Sequence, residues 1–175
     1  MRKYLLHVLI ISFVFLLAPT AQIASSAETY EEYSKRMDEE RAVENAKEEV
    51  RKNPDAAKAH YNLGIAYHES GKYEEAIESY KQAIRIDPDL AGAYHNLGHA
   101  YRRTGSWKSG DKALEKAVVL YKKLIRINPD NAWAHQNLGR AYFLLNDRDS
   151  AIDQYKILKK LDTKRANDLF DLIYE

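Results

Sequence analysis

The sequence predicts an all-α fold built as a tandem array of three helical hairpins, with a further helix at each end. Three observations carry this. The string Asn-Leu-Gly-x-Ala-Tyr recurs at residues 62–67, 96–101 and 137–142, so the first interval is 34 residues and the second is 41. Pro54, Pro88 and Pro129 step by the same two intervals. Between these markers the apolar residues keep helical spacing, with Leu63, Ala66 and Tyr67 on one face and Ala76, Tyr80 and Ala83 on another. A period of roughly 20 to 50 residues marks a stack of like units, each too small to bury its own apolar faces.

Composition sets the outer bounds. The chain has 175 residues, 30% charged and 45% hydrophobic, which suits a foldable, water-soluble protein. It has no cysteine, which removes disulfide scaffolds, thiolate metal sites, cysteine nucleophiles, c-type haem attachment and N-terminal lipid-modified cysteine. Stability must therefore come from packing.

At the N-terminus, Arg2 and Lys3 precede an apolar run over residues 4–18, followed by Pro19 and small side chains ending at Ser25-Ser26-Ala27. This three-part pattern is that of a secretory signal over residues 1–27. The run is shorter than the ~20 residues needed to cross a bilayer core. The alternative is an uncleaved N-terminal anchor, which gives the only reading in which a membrane is a partner. Both place the folded part outside the cytoplasm, in a periplasmic or secreted location. Loss of this segment removes two of 27 basic residues and none of 26 acidic ones, changing the net charge from +1 to −1. That balance gives no support to nucleic-acid binding.

Residues 28–56 form a charged spacer and an N-terminal helix. The apolar positions Tyr30, Tyr33, Met37, Val43, Ala46 and Val50 are helical in two pieces with a slip between them. The later piece is expected to pack on the first hairpin and the earlier one to fray. The hairpins occupy 57–90, 91–131 and 132–165, and a polar-backed capping helix carrying Leu169, Leu172 and Ile173 occupies 166–175. Ser70-Gly71-Lys72 supplies the turn of the first hairpin. A mid-helix glycine costs ~1 kcal/mol relative to alanine, so Gly64, Gly98 and Gly139 imply close approach of a neighbouring helix.

The second unit holds seven extra residues. Leu114, Ala117 and Leu120 fit its second helix read forward, and Ala117, Tyr121 and Ile125 fit it read backward from Pro129. Seven residues is nearly two turns, so both registers agree with a longer helix. A loop through residues 106–110 is the competing reading.

At these positions the chain resembles the tetratricopeptide repeat (TPR) family, whose unit is a 34-residue pair of antiparallel helices stacked into an α-solenoid. The first unit fills every signature position, with Leu63, Gly64, Tyr67, Ala76, Tyr80, Ala83 and Pro88. The third offers Leu138, Gly139, Tyr142, Ala151 and Tyr155, but has Leu158 for a small residue and Thr163 for the proline. The resemblance implies a concave groove lined by first helices. It assigns the peptide-binding groove Lys58, Tyr61, Asn62 and Ile65 from the first repeat, His95, Asn96, His99, Arg102 and Arg103 from the second, and Trp133, Asn137 and Arg140 from the third. His68, Glu69, Gly92, Gln136, Phe143 and Leu144 complete that lining. With four basic residues against one acidic, it should favour an acidic or C-terminal peptide.

The plainer readings stand beside these. Arg102 and Arg103 can be a solvated face, the three asparagines can be family pattern alone, and Trp133 and Phe143 can be packed rather than presented. The family's clamp for an acidic C-terminus carries Lys, Asn, Asn, Lys and Arg where this chain has Tyr61, Ile65, Asn96, Trp133 and Asn137, one match in five. His95 and His99 are a turn apart, but no third ligand or catalytic glutamate accompanies them, so no metal site is assigned. No phosphate-binding loop, nucleophile turn or singled-out carboxylate pair is present. The expected function is a non-catalytic protein-interaction scaffold or assembly adaptor without a cofactor. The competing class is a structural or oligomerisation module acting through an exposed Leu169, Phe170 and Ile173 end.

Overall fold

The computed structural model describes residues 29–174. The export segment expected at 1–27 and Glu175 lie outside the described residues. Among those described there are eight helices and no strands. They are α1 (Tyr30–Lys52), α2 (Ala57–Glu69), α3 (Tyr73–Ile86), α4 (Ala91–Arg103), α5 (Trp107–Ile127), α6 (Ala132–Leu144), α7 (Arg148–Leu161) and α8 (Thr163–Tyr174). Among the described residues, those up to Asp38 form one unit and those from Glu39 a second, larger one.

Helix α1 is continuous from Tyr30 to Lys52, through the position where the apolar pattern slips. Thr29 and Glu32 form a capping box: the Glu32 amide donates to Thr29 Oγ1 at 3.2 Å and the Thr29 amide to Glu32 Oε2 at 2.9 Å. In the first unit Arg36 lies over the Tyr33 ring, and Tyr30 and Tyr33 remain exposed. In the second unit Val43 and Ala46 are buried with Leu63 and Ala66.

Three hairpins follow, α2–α3, α4–α5 and α6–α7. Each turns sharply through one residue with positive φ: Gly71 at 70°, Gly105 at 79° and Asn146 at 63°. Glycine meets that conformation without steric cost, and asparagine is the residue that substitutes best. Between hairpins, Asp87 and Asn128 each precede the proline and accept a hydrogen bond from the amide two residues on, closing an Asx turn. After α7 there is no such loop. Thr163 replaces the proline, a single residue separates the helices, and Asp162 Oδ1 accepts the Arg165 amide at 3.1 Å as an N-cap. The last helix therefore starts at Thr163, three residues before the expected 166. Without proline's ring nothing forces Asp162 into a longer extended connection.

The repeated glycines mark the tightest approaches. A Cβ on Gly64 would lie 2.5 Å from the Tyr80 ring, and one on Gly98 2.6 Å from Leu114 Cγ and 3.0 Å from the Gly110 carbonyl. In both cases the neighbour is the hairpin's own second helix. At Gly139 the nearest atom is instead Leu169 of α8, at 2.5 Å. The last helix thus sits on the third hairpin, burying Leu169 and Ile173 with Ala151, Leu158 and Ala166. This corrects the expectation of an exposed Leu169–Ile173 end; only Phe170 of the three is exposed.

The seven extra residues lengthen α5 to 21 residues, against 14 in α3 and α7. One stripe serves both halves: Leu114, Ala117, Leu120 and Tyr121 are all at most 4% exposed and share a core with Leu138 and Ala141 of α6.

Candidate functional site

The first helices of the hairpins, α2, α4 and α6, carry the residues expected to line a groove, and their side chains separate into distinct groups. The centre of the site is a cavity of about 250 Å³ lined by His95, Asn96 and His99 of α4, Arg140 and Leu144 of α6, and Leu172 of α8. Five expected residues, Leu144 among them, are thereby brought together, and the last helix supplies a wall.

His95 faces the edge of Tyr121, whose own other side meets Trp133 at 5.6 Å between centroids. Its Nδ1 is buried and has no hydrogen-bond partner. Burial first, then the cations and rings of Arg140 and His99, pull its pKa down to about 4, so it is neutral at pH 7. His99 Nδ1 lies 2.7 Å from Nε2 of His68 on α2, one ring donating and the other accepting. Both are held below the ordinary histidine range, by burial foremost and next by His68 acting on His99 and by Arg103 acting on His68. Arg103 lies over the Tyr73 ring at 5.0 Å, and Tyr73 in turn meets the His68 ring edge-on.

The asparagines are engaged inside the protein. Asn96 donates to Tyr61 Oη at 3.3 Å, Asn62 to Glu49 Oε2 at 3.3 Å, and Asn137 to the Trp133 carbonyl at 2.8 Å. Tyr61, held against Gly92, is buried enough that its hydroxyl pKa is raised. Asn62 and Ile65 line a separate depression against α1, together with Glu49 and Glu69. Lys58 is exposed and lines none of these surfaces.

Three expected lining residues, Arg102, Gln136 and Phe143, lie elsewhere. Arg102 Nη1 bonds Asp111 at 2.7 Å and its guanidinium stacks over Trp107 at 4.8 Å, so it belongs to the contact between α4 and α5. Gly110 makes room for its stem, since a Cβ there would lie 2.8 Å from Arg102 Cγ. Gln136 is 6% exposed and is held under α8, accepting from Arg165 at 2.6 Å and donating to Asp168 at 3.3 Å. Phe143 packs at the edge of the Leu158–Leu169 core. Trp133 is 43% exposed, with one part of its ring against Tyr121.

The charge of the lining changes accordingly. With Arg102 paired, Lys58 outside and Glu49 added, two basic residues, Arg103 and Arg140, stand beside two acidic ones, Glu49 and Glu69, and the acids sit at the first-repeat end. Sequence reasoning missed Glu49 because α1 is outside the repeat. It also missed the His68–His99 pair, although the signal was there: the two are 31 apart in a 34-residue period, one helical turn out of step on adjacent first helices.

Among the described residues no group of three or more His, Cys, Asp or Glu side chains is placed to hold a metal ion. No described helix is long and apolar enough to cross a membrane.

Three family profiles, one described as TPR repeat and two as tetratricopeptide repeat, match residues 66–105, 89–156 and 46–78. The chain therefore carries tetratricopeptide repeats. Among solved structures it is similar to TTC0263, a thermophilic TPR protein of Thermus thermophilus, at 26% identity with a TM-score of 0.57, covering 75% of this chain and 73% of that one. MamA of Desulfovibrio magneticus RS-1 is 25% identical with a TM-score of 0.50, over 73% and 68%. The first TPR domain of Spaghetti (RPAP3), solved bound to the HSP90 peptide SRMEEVD, is 25% identical with a TM-score of 0.47, over 66% and 89%. No curated protein matches the chain.

Proposed function

We propose that this protein is a non-catalytic interaction scaffold or assembly adaptor that holds a peptide segment of a partner against the first-helix face, outside the cytoplasm. The observation that carries the reading is the convergence of His95, Asn96, His99 and Arg140 on one cavity rimmed by the apolar Leu144 and Leu172. Repeat arrays that leave a lined face of this kind use it for recognition, since their cores lie between units and not within a pocket. Arg103 and Arg140 enter none of the ion pairs among the described residues, so the face favours an acidic segment. Three hairpins give a short face, and micromolar affinity for a single peptide is the expected order, about 8 kcal/mol.

The test is crosslinking and recovery of partners from the native envelope, comparing the wild type with Arg103→Glu/Arg140→Glu. Loss of a peptide-mediated partner supports the reading, and unchanged recovery retires the acidic-segment idea. Fractionation of cells making the chain with and without residues 1–27 tests export. A structural role through self-association rests on the exposed Phe170 and Tyr174, whose rings meet at 4.5 Å; light scattering distinguishes it.

A further inference from the structure

We infer that the cavity between α4, α6 and α8 is a carboxylate-binding site in which Arg140 supplies the charge and the ring N–H groups of His95 and His99 supply the hydrogen bonds. The inference rests on the groove reading above but names the one place where an acid is gripped. Its lining includes Asn96, the one position at which this chain matches the family's acidic-C-terminus clamp, whereas Arg140, His95 and His99 lie at none of the five.

The electrostatics are one-sided. The charged groups that bear on His95 are Arg140 and His99, and those on His99 are His68, Arg103, Arg102 and Arg140. No carboxylate acts on either ring; Glu69 reaches only as far as His68. From α5 the neighbour is the neutral Tyr121, and from α8 it is Leu172. Of these cations Arg102 is already paired with Asp111, whereas Arg140 is exposed at the cavity and enters no ion pair. A cationic cavity without an internal counter-charge is built for an anion.

The hydrogen-bonding geometry agrees. With Nδ1 of His95 buried and unpartnered, Nε2 is the atom through which that ring can meet a ligand in the cavity it lines. The neutral ring then carries its proton on Nε2, because an N–H stranded at Nδ1 would be unsatisfied. For His99, an anion selects the tautomer in which Nδ1 accepts from His68 Nε2–H, leaving His99 Nε2–H to donate. His68 is thus a positioning residue. A planar carboxylate has two oxygens for these donors and the guanidinium.

Binding is linked to proton uptake. A carboxylate against the rings offsets the desolvation and the arginine charge that keep them neutral, so their protonated forms gain. Affinity therefore rises between roughly pH 7.5 and pH 5.5, by less than the about tenfold that full restoration of His95 to about 6.5 would give, because the protonated ring strands an N–H at Nδ1.

The experiment follows imidazole and guanidinium NMR resonances of the purified protein at both pH values. Two probes are titrated: an amidated, acetylated pentapeptide with one central glutamate among alanines, and an acetylated all-alanine pentapeptide with a free C-terminus. Saturable shifts of His95, His99 and Arg140, stronger at the lower pH, are expected. The probe that produces them tells a side-chain carboxylate from a chain terminus. Arg140→Gln, exposed and safe for the fold, should abolish the shifts, and His68→Phe should weaken them while leaving Arg140 responsive. Neither probe shifting the rings, or affinity that is flat in pH or indifferent to Arg140→Gln, overturns the inference. An acidic partner that still binds Arg140→Gln would overturn this site while leaving the groove reading intact. Saturable shifts with no partner peptide held on the face would do the reverse.

Discussion

Gly98 gives the sharpest test of how the hairpins are held. In an isolated helix Gly98→Ala would stabilise by about 1 kcal/mol. Here the added methyl would stand 2.6 Å from Cγ of Leu114, a side chain with no exposed surface, and 3.0 Å from the Gly110 carbonyl. Neither neighbour is the free end of a flexible chain, and both belong to α5, so relief requires the two helices to separate. Overpacking of this kind costs about 1 to 3 kcal/mol, and the rigidity of both neighbours puts this site at the upper end. After the propensity gain the net loss is about 2 kcal/mol, or a fall of roughly 4 to 8 °C in thermal midpoint. Urea and thermal melts followed by circular dichroism measure it. The same change made in a Leu114→Ala background, where the clashing side chain is gone, should cost less, a coupling that a double-mutant cycle reads directly. A higher midpoint for Gly98→Ala in the wild-type background, or an equal cost in both, would refute the close-approach argument.

Other outcomes follow from features already described. Because the His95 pKa is depressed to about 4 in the folded protein and is about 6.5 unfolded, the unfolded chain binds the extra proton first. Stability is full above pH 6.5 and falls as pH drops toward 4, by about 2 kcal/mol at pH 5; urea melts of His95→Gln should lose that part of the pH dependence. Asn146, with φ of 63°, should tolerate glycine with a gain of a few tenths of a kcal/mol and lose about 1 kcal/mol on Asn146→Ala, measured by thermal melts. Asp162→Ala removes the cap from the Arg165 amide and should cost about 1 kcal/mol, with faster hydrogen exchange confined to the first turn of α8.

What the sequence made legible was whatever repeats. Leu63, Gly64 and Tyr67 recur with their partners Ala76, Tyr80 and Ala83, so the hairpins, their order and their stacking can be read without coordinates. The lengthened α5 was also legible, because its apolar stripe continues unbroken from Leu114 to Tyr121. The site was legible only in part. His95, Asn96, His99 and Arg140 line one cavity, but Arg102 lies at the edge of the helical face, where a one-position rotation decides between groove and partner helix. Its destination was set by Gly110 and Asp111 on another helix, which no first-helix pattern contains. Glu49 and Leu172 come from flanking helices outside the period. The Thr29–Glu32 capping box was readable as spacing, yet the apolar pattern that suggested fraying spoke louder.

The lengthened α5 also limits how this joint can vary. Seven residues carry the chain about 10 Å forward while returning it to within about 20° of its starting direction, so the core stripe meets both neighbours on the same side. An insertion of three residues would swing everything downstream by about 60°, and one of four by about 40° the other way. The distance between the second and third hairpins is therefore a stepped quantity, open to change by whole pairs of turns and closed to the intermediate lengths. A lineage that needed a wider or narrower span for its ligand would have to jump between permitted settings, and the cavity walled by α4 and α6 would be remade at each jump.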